Sequence, residues 1–321
     1  MASWMIGVDI GGTKISAALL SLDGEFGLQE TWPTRAETDS EGAFQQLVAI
    51  IRYLLSQAGG ETSEVKTVGI ACAGLIDANS GTVLTSPNLP WASFPLKQRV
   101  EAEIVIPVFV LNDANAAALG EHVYGVGKGV NDLIYVTVST GIGGGLILGG
   151  RLYTGFQGLG GEVGHTTIEP EGPLCNCGNR GCWEALSSGW AMVREARHGL
   201  AQGIPSSLGE KGETITAEDV HKAAREGDGL AQSVIQRAAH YLGVGLANLV
   251  NLFNPQLIII GGGVAKMGQL LLAPAETEMK QRAFASSVAS VRLCSASLGV
   301  RAGFYGLLAQ YHQEGGEVDP P

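Results

Sequence analysis

Two glycine-rich stretches decide how this 321-residue chain is read. Near the start, Asp9-Ile10-Gly11-Gly12-Thr13-Lys14 follows one short apolar run and precedes another. Residues 4–9 and 15–20 therefore read as two strands joined by a tight glycine turn. Further along, Ser139-Thr140-Gly141-Ile142-Gly143-Gly144-Gly145 stands in the same setting, between a strand at 133–138 and a returning strand at 146–148. A third turn, Gly261-Gly262-Gly263, follows the most apolar strand of the chain, residues 256–260.

Working outward, Phe44, Leu47, Val48, Ile51, Leu54 and Leu55 recur at three- and four-residue spacing and predict a helix. Residues 65–71 and 106–111 read as buried strands, and 113–124 as an alanine-rich helix. The second half repeats the plan, with helices expected at 183–197, 217–225 and 230–252 and a last one at 301–311. Residues 203–212 read as a polar loop. Two copies of strand, glycine turn, strand, each followed by further strands and helices, predict a duplicated α/β architecture.

Composition narrows the function. Glycine supplies 47 residues, about twice the usual share, while charged residues make up only 16% and hydrophobic ones 45%. So apolar a chain is not disordered, and without a G-X-Y period it is not collagen. Its net charge of -11 and the lack of any Lys/Arg-rich run exclude a nucleic-acid surface as the expected partner. The longest apolar region, residues 241–264, is interrupted by Asn248, Asn251, Asn254, Pro255 and Gln256, which argues against a membrane span. Asp9 and Lys14 likewise argue against a signal peptide. A soluble, cytoplasmic protein is expected.

The glycine turns suit phosphate. Around Gly11 and Gly12 lie bare backbone N–H groups, the Thr13 hydroxyl, the Lys14 cation and the Asp9 carboxylate, which could hold Mg2+ through water. Thr140 and Gly141 repeat the arrangement without the charge, and Gly262 and Gly263 could admit a base or ribose. The alternative, that these are only tight hairpin turns, is the better reading of any one of them; three in equivalent places favour the site. None matches the P-loop or dinucleotide-binding patterns.

His165, Cys175, Cys177 and Cys182 lie within 18 residues. Three thiolates and an imidazole make a closed tetrahedral set for structural Zn2+, with no position left for a catalytic water. Cys72 and Cys294, each alone in an apolar strand, are expected to be small core residues. Asn112-Asp113 ends a strand and opens a helix, where ligand-handling groups gather in open α/β sheets. Asp113 could be a base acting on a hydroxyl, or either residue could simply cap the helix. Glu162, Glu184, His165, Asn88 and Asn112 together would suit a polyhydroxylated sugar; Glu184 could instead favour a helix dipole.

Taken with Pro87-Asn88-Leu89, residues 112–121 (NDANAAALGE), Gly161-Glu162-Val163-Gly164-His165 and residues 175–184 (CNCGNRGCWE), the two turns make the chain resemble the ROK family of sugar kinases over nearly its whole length. That resemblance implies the duplicated actin-like ATPase/hexokinase (ribonuclease H-like) fold, two domains with a cleft between them. The expected division is a small domain of residues 1–113 plus a C-terminal helix at about 301–321, and a large domain of 114–300 carrying the zinc loop. It also implies ATP-dependent phosphorylation of a hexose 6-hydroxyl. Glucose is the first candidate, and N-acetylmannosamine, N-acetylglucosamine or fructose are the alternatives.

By the same resemblance Asp113 is the base; Gly74, Asn88, Asn112, Glu162, His165 and Glu184 hold the sugar; and the glycine turns hold ATP and Mg2+. Domain closure brings donor and acceptor together, and a homodimer or homotetramer is expected. Departures are few. Ser139 stands where glycine is frequent, Ala71-Cys72-Ala73-Gly74 replaces Ala-Pro-Gly, and Gly161 replaces Ala. The family also holds sugar-responsive repressors with an added N-terminal helix-turn-helix domain. A phosphate turn at residue 9, the presence of Asp113 and the acidic charge lead us to expect a kinase.

Overall fold

Strand β1, Trp4–Ile10, is apolar on both faces and becomes the centre of a sheet. Its alternation divides the work: Ile6, Val8 and Ile10 pack into one core with helix α1, Ser40–Gln57. On the opposite face Gly7 leaves room for Phe304. The computed structural model describes residues 3–34, 39–58 and 65–315. Contacts divide the chain into two units, Met1–Gly129 with Gly145–Gly161 and Ser297–Pro321, and Val130–Gly144 with Glu162–Ala296.

In the first unit β2 (Lys14–Ser21), β3 (Phe26–Pro33), β4 (Val65–Cys72) and β8 (Val108–Asn112) complete a sheet of order β3-β2-β1-β4-β8. Its β1–β2 and β2–β3 pairs are antiparallel and its β1–β4 and β4–β8 pairs parallel. Asp39 caps α1 by accepting the Gly42 N–H at 2.5 Å. Helix α2, Leu96–Ile104, joins α1 over the same face and was not foreseen, because only three of its residues are buried. The small sheet β5 (Leu75–Asp77), β6 (Thr82–Thr85) and β7 (Ala92–Phe94) carries the loop with Asn88. Trp91 anchors that loop, stacked on Phe94 at 4.9 Å and donating its indole N–H to the Ser40 carbonyl at 3.1 Å.

Helices α3 (Asp113–Val123) and α10 (Ala302–Gln313) pack on each other with backbones nearly touching. A Cβ on Gly306 would lie 1.6 Å from the Ala116 carbonyl oxygen, and one on Gly120 2.1 Å from that of Ala302. Small side chains there let the two helices close on each other. This packing places α3 with the first unit, so contacts run past Asp113 to Gly129. Residues 316–321 of the expected C-terminal helix lie outside the described residues.

The second sheet has the order β11-β10-β9-β12-β13, built from β9 (Leu133–Val138), β10 (Ile142–Leu148), β11 (Arg151–Tyr153), β12 (Leu257–Gly261) and β13 (Arg292–Ser295). Its β10–β11 pair is antiparallel and its β9–β12 and β12–β13 pairs parallel, repeating the plan of the first sheet. The expected 183–197 helix is two helices, α4 (Trp183–Ser187) and α5 (Gly189–Ala201), broken at Ser188 with ψ of 173°. Helices α6 (Ala217–Arg225), α7 (Gly229–Phe253) and α8 (Gln269–Arg282) follow, with a short α9 (Ala285–Val288). Residues Ser207–Thr214 form 3-10 turns that begin inside the expected 203–212 loop and run two residues past it. Cys72 is fully buried as expected, but Cys294 is only half-buried, because β13 is the sheet's edge. Among the described residues no helix is long and apolar enough to cross a membrane.

Candidate active site

Asn112 is the N-cap of α3: its side-chain oxygen accepts the Ala114 and Asn115 N–H groups at 2.9 and 3.1 Å, while its amide donates to the Gly74 carbonyl at 3.1 Å. Of the two roles expected of Asn112, these bonds show the helix cap, and the same side chain also holds the Gly74 loop. Gly74 itself has φ of +126°, and a Cβ there would meet the Thr85 carbonyl at 2.4 Å. Asp113 opens the helix, its carboxylate accepting the Ala114 N–H at 2.9 Å.

Burial raises the Asp113 carboxyl above the ordinary carboxylate range, against the lowering pull of that N–H bond. Burial and the nearby Asp113 charge push Asp9 up to about 7, with Lys14 pulling the other way. The Cys72 thiol sits behind both carboxyls and is driven well above its ordinary value by burial and by their charges, so it is an inert filler. Two carboxyls that resist ionising together are a setting that a divalent cation would relieve, and Asp9 fits Mg2+ on that ground.

The first glycine turn is a closed hairpin. The Gly11 N–H donates to the Lys14 carbonyl at 3.0 Å, and the Thr34 hydroxyl donates to the Gly11 carbonyl at 2.7 Å. Thr13 and Lys14 are exposed. A Cβ on Gly12 would stand 2.6 Å from the Asn88 carbonyl oxygen, so the turn and the Asn88 loop approach each other closely. Ser86 fixes that loop by donating to the Ala73 carbonyl at 2.7 Å and accepting the Leu89 N–H at 3.2 Å.

In the second unit the His165, Cys175, Cys177 and Cys182 ligand atoms all lie within 4.8 Å of one another. Cys175 Sγ is 3.7 Å from His165 Nδ1, and Cys177 Sγ is 3.6 Å from Cys182 Sγ. Tetrahedral zinc with bonds of about 2.3 Å sets sulfur atoms roughly 3.8 Å apart, so the cluster fits a structural zinc. Burial pushes the Cys182 thiol up to about 12, and a cation is what would displace its proton at neutral pH. Nδ1 faces the cluster, leaving Nε2 for another partner.

Glu162 is exposed and precedes the 3-10 turn Val163–His165. Glu184 does something that the sequence did not reveal. Its Oε2 accepts the Ile142 N–H at 2.9 Å, and its Oε1 lies 3.9 Å from Cys175 Sγ. The second glycine turn is shorter than expected, because β10 begins at Ile142 and takes in Gly143, Gly144 and Gly145. Its closure is a Ser139 N–H bond to the Gly141 carbonyl at 2.9 Å.

A cavity of about 580 Å3 opens beside this turn, lined by Ser139, Thr140, Trp190, Thr216, His221 and Lys266 among others, with Gly263 from the third turn. Gly262 does not line it; its φ of +91° makes the bend, where a Cβ would strike the Val138 carbonyl at 2.3 Å. Of the wall, only Ser139, Thr140 and Gly263 lay in turns singled out from sequence. Trp190 and His221 come from α5 and α6, and no local motif marks them.

The ROK family model matches residues 5–314. This chain belongs to the ROK family. Among its relatives, the glucokinase of Halalkalibacterium halodurans is 37% identical over 309 residues, covering 94% of this chain and 93% of the relative. The xylose repressor of Caldicellulosiruptor bescii is 34% identical over 307 residues, covering 95% of this chain and 77% of the relative. A crystal structure of a ROK glucokinase from Streptomyces griseus, in complex with glucose and AMPPNP, has a TM-score of 0.82 and 37% identity and covers 97% of this chain and 100% of that one. The fold is accordingly the actin-like ATPase/hexokinase fold of ROK proteins, and the repeated sheet order is its duplication.

Proposed function

We propose that this ROK protein is a glucokinase, transferring the γ-phosphoryl group of ATP to the 6-hydroxyl of glucose. The observation that carries the reading is Asp113, a carboxyl raised by burial at the head of α3, beside a second carboxyl, Asp9, held near neutrality. A base poised in that way suits removal of a hydroxyl proton. Glucokinases at 37 and 38% identity over 94% of the chain support the same conclusion.

Asp113 accepts the 6-hydroxyl proton while the sugar oxygen bonds to the γ-phosphorus and the bond to the bridging oxygen breaks, releasing ADP. Asn88, Asn112, Glu162, His165 Nε2 and Glu184 hold the sugar hydroxyls, and Gly74 shapes that loop. The adenosine half of ATP occupies the cavity beside Thr140, Gly141 and Gly263, with Gly262 forming the bend. Gly11, Gly12, Thr13 and Lys14 attend the phosphates. When bound, Mg2+ supplies neutralising charge to the phosphates, and Asp9 would hold it through water. His165 and the three cysteines would hold zinc as a closed set of four ligands, and the bound metal would fix the imidazole without taking part in the reaction. We place the enzyme in the cytoplasm as a homodimer or homotetramer.

A coupled ADP-release assay over glucose, fructose, mannose, N-acetylglucosamine and N-acetylmannosamine tests the substrate. Glucose should give the highest kcat/KM. A higher value for another sugar would reassign the substrate, and no turnover of any sugar would favour the regulator reading that the repressor relatives offer.

A further inference from the structure

Trp190 stands where the metal cluster and the cavity meet. Its side chain packs against buried Cys175, Cys182 and Ala185, and it also lines the 580 Å3 cavity. Its backbone N–H donates to the Thr140 carbonyl at 3.2 Å, and the preceding Gly189 N–H donates to Ser139 at 2.9 Å. The break at Ser188 exists in this place because α5 must start against the glycine turn; a continuous helix would keep those N–H groups inside its own ladder.

A second strut runs in parallel. The Glu184 carboxylate accepts the Ile142 N–H with one oxygen and approaches Cys175 Sγ with the other, at 2.9 and 3.9 Å. Arg194 holds the indole in turn, its guanidinium 5.1 Å from the ring centroid and bonded to the Ala185 carbonyl at 2.9 Å. The thiols that the metal gathers are therefore the floor on which this wall of the cavity rests. Without it, Cys175 and Cys182 are held mainly by their own loop, and the floor loosens.

We propose that Trp190 is a positioning residue for the nucleotide, and that metal bound by His165, Cys175, Cys177 and Cys182 tightens nucleotide binding through it. This inference rests on the cavity being the nucleotide site. It gives the zinc a second role beside its hold on His165, directed at the phosphoryl donor instead of the acceptor. Coupling between two bound groups is reciprocal, so the nucleotide must tighten the metal by the same factor.

The test measures AMPPNP affinity calorimetrically for zinc-loaded and zinc-stripped protein, wild type and Trp190→Leu, with circular dichroism as the folding control. Zinc affinity is measured separately against a chromophoric chelator, with and without AMPPNP. In the wild type, stripping should weaken AMPPNP roughly tenfold, and AMPPNP should tighten zinc by the same factor, within the usual range of such couplings. In Trp190→Leu the zinc-loaded protein should bind AMPPNP more weakly, and the loaded-to-stripped ratio should shrink below about threefold.

Equal AMPPNP affinity in loaded and stripped wild type, or a full tenfold ratio surviving in Trp190→Leu, would overturn the coupling while leaving the kinase reading intact. Absence of AMPPNP binding to loaded wild type would overturn the nucleotide site itself. Should stripped protein fail to stay folded, the chelator measurement on loaded protein decides alone: zinc affinity unmoved by AMPPNP refutes the coupling.

Discussion

Gly245→Ala is the substitution that asks most of the packing around the zinc loop. In an exposed helix interior, Gly to Ala stabilises by about 1 kcal/mol. Here the new Cβ would stand 2.0, 2.4 and 2.5 Å from the Trp183 atoms Cε2, Cδ2 and Cζ2. Ordinary carbon contacts begin near 3.5 Å, so the ring must retreat by roughly 1.5 Å. Trp183 is 0% exposed, and its backbone is tied down by its main-chain N–H donating to the Thr166 carbonyl at 2.9 Å, so the ring has no open space to retreat into.

Overpacking of this kind costs about 1 to 3 kcal/mol, and so close a contact belongs at the upper end. Subtracting the helix gain leaves a net destabilisation of about 2 kcal/mol. Because Trp183 stands between Cys182 and Glu184, the variant should also lose zinc to a chelator faster than wild type does. The assay is urea unfolding followed by near-ultraviolet circular dichroism, with zinc release measured in parallel. Gly229→Ala is the control, since nothing lies within 4 Å of a Cβ there. If Gly245→Ala matched or exceeded wild-type stability and held its zinc, the packing argument would be wrong.

Other consequences can be checked as directly. Because Asp113 is raised above the carboxylate range and must be ionised to act, kcat/KM for glucose should fall as pH drops through a value higher than an ordinary aspartate's; a profile flat down to pH 4 contradicts this. Asp9 carries the opposite sign for stability. An acid raised in the fold from 3.8 to about 7 stabilises only while protonated, and that contribution is lost as pH rises towards 7. In chelator at pH 8, Asp9→Asn should therefore be more stable by about 2 to 4 kcal/mol, with the difference vanishing below pH 4; equal melting at pH 8 would refute it. Cys177→Ser should lower zinc affinity at least 10- to 100-fold and weaken glucose binding through His165; full zinc occupancy at low free zinc would contradict the ligand set.

Local chemistry was the part that the sequence made readable. The strand–turn–strand at residue 9, the 3.6-residue spacing of α1 and the crowding of His165 with three cysteines each depend on neighbours in the chain, and each stands as read. What was missed depends on distant partners. Ser188 breaks a helix because Ser139 and Thr140, some fifty residues earlier, need the N–H groups of Gly189 and Trp190. Gly143–Gly145 belong to a strand instead of a turn; Gly145 packs where a Cβ would meet Ala118 Cβ at 2.4 Å. The cavity wall draws Trp190, His221 and Lys266 from separate elements, and no spacing rule connects them. Gly243 and Gly245 stand inside α7, and the space they leave is filled by Glu278 and Trp183 from other elements, which spacing within the helix does not show.

The base assignment is the centre of the account, and one variant tests it. In Asp113→Asn the amide keeps the size of the side chain but cannot take the proton. Measuring glucose affinity calorimetrically and kcat from glucose 6-phosphate formation separates binding from chemistry. The account predicts a Kd for glucose within a few-fold of wild type and a kcat lower by roughly 10²- to 10⁴-fold. A kcat within threefold of wild type would contradict it.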